Sequence, residues 1–440
     1  MPSRLEYLTA GESHGPQLTA ILRGIPAGLA IDPAKIADDM GRRQAGYGRG
    51  PRMNIEKDTA VLKGGVRKGF TLGSPIALTV ENADYKSWEN LMAPEPGDTP
   101  ALKLVTRPRP GHADLVGALK FNHADARNVL ERSSARETAA RVAVGAICRA
   151  FLAEFGVTVY SHVVNLGGAK VDATGLTHEA IRATADASPL RVCRPEAEAE
   201  MVAMIDRAKK EGDTVGGIYE VVALGVPAGL GSCMNWDEKL DARIAQGIIA
   251  CQAIKGVSIG LGFDVADTPG SRVHDPIGFD ASLAAPRPDA PPATHAGTEV
   301  DDEPGSPAHD PGAKPLTRRT AQDARPLPGR GPSGGFYHLG NNAGGIEGGM
   351  SNGEPIVVRG AMKPIATLMK PLQSVDLKTK ETFDAVRERS DVCAVPAAGV
   401  VGEAIVCFIL AQAFLEKFGG DSIAETRRNY DSYVQYMREF

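Results

Sequence analysis

Cysteine is scarce in this chain and unpaired in sequence. The 440 residues hold six, Cys148, Cys193, Cys233, Cys251, Cys393 and Cys407, and none forms a C-x-x-C pair. This excludes a zinc ribbon or a dithiol redox motif and predicts buried free thiols in a reducing cytosol. No His, Cys and carboxylate spacing resembles a metal site. No G-x-x-x-x-G-K-[ST] occurs, and Gly46-Tyr47-Gly48-Arg49-Gly50 is not a dinucleotide fingerprint, so neither a P-loop nor a standard NAD fold is supported. The leading Met-Pro-Ser-Arg-Leu-Glu-Tyr lacks an apolar signal core, which predicts a cytoplasmic protein. One long apolar run, residues 397–415, contains Glu403 and Gln412 and reads as a buried core helix in preference to a membrane span. Positive charge is in slight deficit, with a net charge of −5. General nucleic-acid binding is therefore disfavoured.

Glycine is plentiful, at 50 residues, and arginine is concentrated at 42–52, 107–109 and 127–141. An acidic chain with local arginine suits a small anionic ligand. Much of the chemistry lies in residues 107–138. Pro108 and Pro110 stiffen a loop, and Gly111 permits the turn that presents His112. Ser134 and Glu137 form a capping-box pattern ahead of an apolar run through Val144, Ile147, Cys148, Phe151 and Phe155, closed by Gly156. A helix N-terminus flanked by Arg132 and Arg136 suits a phosphate or carboxylate. An ordinary capped helix with solvated arginines is the alternative.

In chain order, residues 5–31 read as strand, turn, strand. A helix over 33–44 has Pro33 at its start and Asp32 as its cap. Residues 53–81 are β-rich. Strands at 157–164 and 219–226, helices near 195–211 and 237–255, glycine-rich β structure at 256–280 and 334–360, and a helix at 397–417 follow. Gly24-Ile25-Pro26-Ala27-Gly28-Leu29 is echoed by Gly225-Val226-Pro227-Ala228-Gly229-Leu230. The glycine pattern of 65–76 is echoed at 345–356, in the same order. The spacing predicts a duplicated module and so one pseudo-symmetric domain over 1–440. Residues 282–332 hold 11 of the 31 prolines and few large apolar residues. They read as a solvent-exposed, disordered insertion.

Gly11-Glu12-Ser13-His14-Gly15 matches G-x-S-x-G, but a nucleophile elbow needs a helix after the serine, and an alternating segment follows here. The two glycines instead let Ser13 and His14 face a ligand. His14 and His112, both in glycine loops, form a candidate acid–base pair. Residues 341–353 pack glycines and asparagines into a candidate backbone-lined binding loop. Arg389-Ser390-Asp391 adds a carboxylate beside a cation.

Taken in order, Gly11–Gly15, 42–50, 109–114, 131–138, 212–217, 341–353, Lys363-Pro364 and 389–391 resemble the chorismate synthase family, over almost the whole chain outside 282–332. The resemblance implies an α+β fold, a β-α-β sandwich with helices between antiparallel sheets, assembled as a homotetramer. It implies a lyase that eliminates phosphate from 5-enolpyruvylshikimate 3-phosphate using reduced FMN, with NADPH as a candidate reductant. Through it His14 resembles the proton donor to the departing phosphate, His112 the histidine that steadies the reduced flavin, and Asp391 the carboxylate assisting loss of the substrate proton. Ser13, Arg43, Arg49, Arg109 and Arg136 match the substrate site, with Arg43 and Arg49 also matching NADP contacts. Flavin contacts fall at Arg132, Ser133 and Ser134, at Gln252 and Ala253, at Gly348, at Lys363, Pro364, Ile365, Ala366 and Thr367, and at Arg389. The stretch 363–367 has fewer hydroxyls than is usual in the family, so contacts at Ile365 and Ala366 would come from backbone. Two other classes remain open at this point: a hydrolase using Ser13, and a non-catalytic anion-binding scaffold.

Overall fold

The alternating segment at the start of the chain folds as β1 (Glu6–Ala10) and β2 (Gln17–Arg23), paired antiparallel. Their turn needs glycine at position 11, where φ is +102° and a side chain would strike the Gln17 carbonyl. α1 (Pro33–Gln44) is capped by Asp32, whose carboxylate accepts the Ala34 N–H, with proline in the first turn. β3 (Ala60–Gly64) and β4 (Ile76–Glu81) complete an antiparallel sheet of order β1-β2-β4-β3. The short helices α2 (Tyr85–Met92), α3 (Asp114–Phe121) and α4 (Arg127–Ser133) lead to α5 (Thr138–Ala153). This computed structural model describes residues 5–50, 57–97, 103–283, 331–385 and 390–440. The expected insertion at 282–332 lies almost wholly outside them.

The second sheet has the same strand order. β5 (Thr158–Leu166) is followed by α6 (His178–Ala187) and α7 (Pro195–Glu211), then β6 (Gly217–Leu224), α8 (Leu240–Ile249), β7 (Ile254–Ile259) and β8 (Ile356–Met362). These strands run antiparallel in the order β5-β6-β8-β7, with a two-residue strand, Ala169–Lys170, outside β5. α9 (Val395–Phe418) and α10 (Ile423–Glu439) close the chain. The two Gly-x-Pro-Ala-Gly-Leu segments make matching bonds. Gly28 N–H donates to Thr71 O, Leu29 N–H to Thr71 Oγ1, and Thr71 Oγ1 to Pro26 O. Gly229, Leu230, Ser351 and Pro227 repeat all three.

α5 lies against β2 and β4 of the first sheet, α9 against β5 and β6 of the second, and the two helices pack on each other. Glycine permits their approach: a Cβ at Gly145 would stand 2.4 Å from that of Ala404. α9, 24 residues long, is apolar and long enough to cross a membrane, but it is buried among α1, α5, α8 and the second sheet. Its fully buried Glu403 accepts from Arg42, Arg149 and Ser161. Burial alone would raise this carboxyl, but Arg149 and Arg42 outweigh it and hold it down at about 2.

Several local expectations change. The helix expected over 237–255 spans only Leu240–Ile249, preceded by a 3-10 turn, Trp236–Glu238. Ser134 does cap, but it caps a 3-10 turn, Ala135–Glu137, ahead of α5. The Glu137 carboxylate accepts from Thr9, Arg141 and Gln252, because those donors surround it in the folded chain. All six cysteines are free, and Cys233 is exposed while the other five are buried.

Candidate active site

A cavity of about 700 Å³ opens where the β1–β2 turn, the end of α1 and the loops before α5 and α9 converge. Its volume suits a cofactor with a small substrate. The β1–β2 turn supplies Ser13 and His14. Ser13 is pinned by its N–H to the Glu131 carbonyl, and Ser134 Oγ lies 3.1 Å from Ser13 Oγ. His14 is held on two sides. Its Nδ1 stands 2.9 and 3.0 Å from the two carboxylate oxygens of Glu131, and its ring stacks on Trp88 at 3.9 Å. Glu131 is almost fully buried. That burial would raise its carboxyl, but hydrogen bonds from His14 outweigh it and hold the group below the ordinary range.

The stiff loop before α3 presents His112 in the same manner. Its Nδ1 lies 2.5 Å from Asp114 Oδ1, and Arg109 Nε donates to the other oxygen at 2.8 Å. Asp114 is inaccessible to solvent. Burial favours its neutral form, yet the bonds from His112 and Arg109 hold its carboxyl well below the usual range. Both pocket histidines thus rest on buried carboxylates.

Cations line the cavity at Arg43, Arg49, Arg109 and Lys363. Arg43 donates to Thr138 Oγ1 and the Ala135 carbonyl. Arg136 is buried and donates to the Ser13 carbonyl, Asp58 and the Glu81 carbonyl. Asp391 joins the far side, accepting the Gly50 N–H at 2.6 Å with Arg49 Nε at 3.3 Å. Lys363 donates to the Gly111 carbonyl, tying the 363–367 stretch to the His112 loop. Leu130, Met362, Ile365, Ala397 and Val401 give an apolar wall.

Gln252 marks where a ligand's polar group belongs. Its Nε2 donates to Glu137 at 3.2 Å, but its Oε1 is buried without a partner among the described residues. A buried orphan acceptor costs roughly 1–3 kcal/mol unless something donates to it. With the apolar wall and the cations, it makes the chemistry of the cavity fit a bound flavin. Among the described residues no group of three or more His, Cys, Asp or Glu could hold a metal ion.

The residues singled out from sequence mostly meet here: Ser13, His14, Arg43, Arg49, Arg109 and His112 from the first half line the cavity, with Ser133, Ser134 and Arg136. Gln252, Ala253, Lys363, Pro364, Ile365, Ala366, Thr367 and Asp391 line it from the second. Arg132 is outside the lining and turns to the β1–β2 turn, donating to Thr9 and the Gly11 carbonyl. Gly348 is also outside it, in the turn between the short strands Ile346–Glu347 and Met350–Ser351, near Cys233. Arg389 lies outside the described residues. Sequence reasoning gave no role to Glu131, Asp114, Asp58 or Trp88. The first two stood inside motif runs already noted; Asp58 and Trp88 carried no local signal. The G-x-S-x-G serine is followed directly by β2, so the strand–turn–helix geometry of a nucleophile elbow is absent.

A family model described as chorismate synthase matches residues 5–415. The chorismate synthase of Geobacter metallireducens is 54% identical over 436 residues, covering 99% of this chain and 100% of that one. That of Geobacter sulfurreducens is 51% identical over 436 residues, with the same coverage. A crystal structure of chorismate synthase superposes with a TM-score of 0.71 at 38% identity, covering 99% of each chain.

Proposed function

The chain belongs to the chorismate synthase family, and from that premise we propose that its cavity binds reduced FMN beside the substrate and divides the reaction among named side chains. The enzyme is a lyase of aromatic biosynthesis. It converts 5-enolpyruvylshikimate 3-phosphate to chorismate by anti-1,4-elimination: a C–H bond and the C–O bond to phosphate break, a new C=C forms, and a proton and phosphate leave. The family requires reduced flavin although there is no net oxidation. Bound here, that flavin would lend electron density to the allylic system as the C–O bond breaks.

The observation that carries the reading is the convergence on one cavity of two carboxylate-backed histidines, a set of cations and an apolar wall. Arg43, Arg49 and Arg109 neutralise the phosphate and carboxylates of the substrate. His14 protonates the departing phosphate, and Asp391 assists loss of the substrate proton. Arg136, with Ser13, shapes the floor of the anion site. His112 is assigned to the cofactor, together with Ser133, Ser134, Gln252, Ala253 and the 363–367 backbone. NADPH, through Arg43 and Arg49, is the proposed reductant. Arg132, Gly348 and Arg389 stay proposed flavin contacts on the family resemblance alone.

The matching strand orders and hydrogen bonds of the two halves support a duplicated, pseudo-symmetric β-α-β sandwich. Exposed apolar side chains, among them Leu8 and Ile21 on the first sheet and Met234 and Trp236 beyond the second, support subunit contacts in a homotetramer. Free, mostly buried thiols fit a cytoplasmic enzyme. The test is anaerobic: the protein, substrate and photoreduced FMN release phosphate and form chorismate, and neither product appears with oxidised FMN. Turnover without any flavin would overturn the reading.

A further inference from the structure

Three contacts join His14 to one buried side chain. The Glu131 carboxylate accepts the His14 backbone N–H at 2.9 Å, and both its oxygens lie within 3.0 Å of His14 Nδ1. An ionised carboxylate only accepts. Glu131 is ionised at neutral pH, since the bonds from His14, with Arg127 adding to them, hold its carboxyl below the ordinary range against burial. Nδ1 must therefore carry the proton of that contact. Trp88 closes one face of the ring, and its own orientation is set by an Nε1–H bond to Asp84 at 3.1 Å. His14 also lines the cavity, and with Nδ1 taken up by Glu131 the remaining ring nitrogen is Nε2.

We propose that Glu131 is the positioning residue of His14: it accepts from Nδ1–H of the imidazolium and directs Nε2–H to the substrate phosphate, while Trp88 holds the ring plane. The inference deepens the reading of His14 as proton donor and rests on it. As the C–O bond breaks, its electron pair stays on the phosphate oxygen and takes the Nε2 proton. The imidazole left behind is neutral, still bonded through Nδ1–H to Glu131. His112 shares the Nδ1–carboxylate contact, with Asp114.

A loop anchor would also need Glu131, because of the backbone bond, so the test must read the ring itself. Glu131→Gln keeps the shape but replaces one acceptor oxygen by N–H. In either amide orientation an N–H then stands about as close to Nδ1 as the oxygen it replaces, and the one neutral oxygen left is a weaker acceptor for Nδ1–H than the carboxylate. In the wild-type protein with 15N-labelled histidine, the His14 signals, identified by their loss in His14→Ala, show a protonated Nδ1. In Glu131→Gln they show the Nδ1 signal moved toward that of a bare nitrogen, with kcat down at least ~10-fold and KM within about threefold of wild type. A wild-type spectrum with bare Nδ1 overturns the proposal without any variant, so a misfolded Glu131→Gln leaves it testable. Wild-type turnover in Glu131→Gln, with His14→Ala inactive, overturns it and spares the role of His14. Wild-type turnover in His14→Ala overturns the reading on which it rests.

Discussion

Arg136 donates to Asp58 at 3.0 Å, and neither side chain is appreciably exposed. The same carboxylate lies 3.5 Å from Arg43, so one buried anion sets two of the arginines at the cavity. Removing one partner of a buried ion pair leaves the other uncompensated, at a cost of about 3–5 kcal/mol. Asp58→Ala is expected to lower stability by that order in urea unfolding and to raise KM for the phosphorylated substrate. A variant within ~0.5 kcal/mol of wild type would show that the pair carries no such weight.

The contact of α5 with α9 at Gly145 leaves no room for a side chain, since the Ala404 Cα would also be 2.5 Å from an added Cβ. Gly145→Val is therefore expected to destabilise by roughly 1–3 kcal/mol or more through overpacking, despite its gain in apolar surface. Thermal unfolding measures it. A neutral or stabilised variant would mean that the two helices can separate at little cost.

The sequence exposed this site unevenly, for a physical reason. His14 and His112 were legible because glycine and proline mark the loops that present them, and those residues act through local backbone geometry. The repeated Gly-x-Pro-Ala-Gly-Leu segments were legible too, and in the structure they bond to Thr71 and Ser351 in the same way. Asp58 and Trp88 were silent because their meaning comes from partners far along the chain: Asp58 meets Arg136, and Trp88 meets His14. Glu137 misled for the same reason. Its spacing from Ser134 fits a capping box, but Thr9, Arg141 and Gln252 reach it first.

A further buried histidine–carboxylate pair lies on the second sheet, away from the cavity. His162 on β5 bonds Glu220 on β6 at 3.0 Å, and Arg359 on β8 holds the other Glu220 oxygen at 2.7 Å. Burial would lower the His162 pKa, but Cys193 and the Glu220 carboxylate beside it outweigh it and push it up to about 9. A raised histidine stabilises fully below its unfolded value of about 6.5, and that stability is lost as pH rises through about 9. The contribution is on the order of 3 kcal/mol. Wild type should therefore exceed His162→Gln in urea midpoint at pH 6, with the gap closing by pH 10. An unchanged gap would place the proton elsewhere.

Gln252 offers a direct test of cofactor fit. Its Nε2 is committed to Glu137, and its buried Oε1 has no donor among the described residues. A flavin in the cavity has N–H donors to offer, so binding should remove a cost already present in the free protein. Gln252→Met keeps the length and apolar body of the side chain but cannot accept in this way. The expectation is a Kd for FMN about 5–10-fold weaker, in keeping with ~1 kcal/mol for a neutral hydrogen bond. The free variant should be no less stable than wild type, because it no longer buries an unsatisfied oxygen. Fluorescence titration with FMN and urea unfolding of the apoprotein read the two halves separately. Equal FMN affinity in the two proteins would mean that the acceptor meets substrate or water instead of flavin.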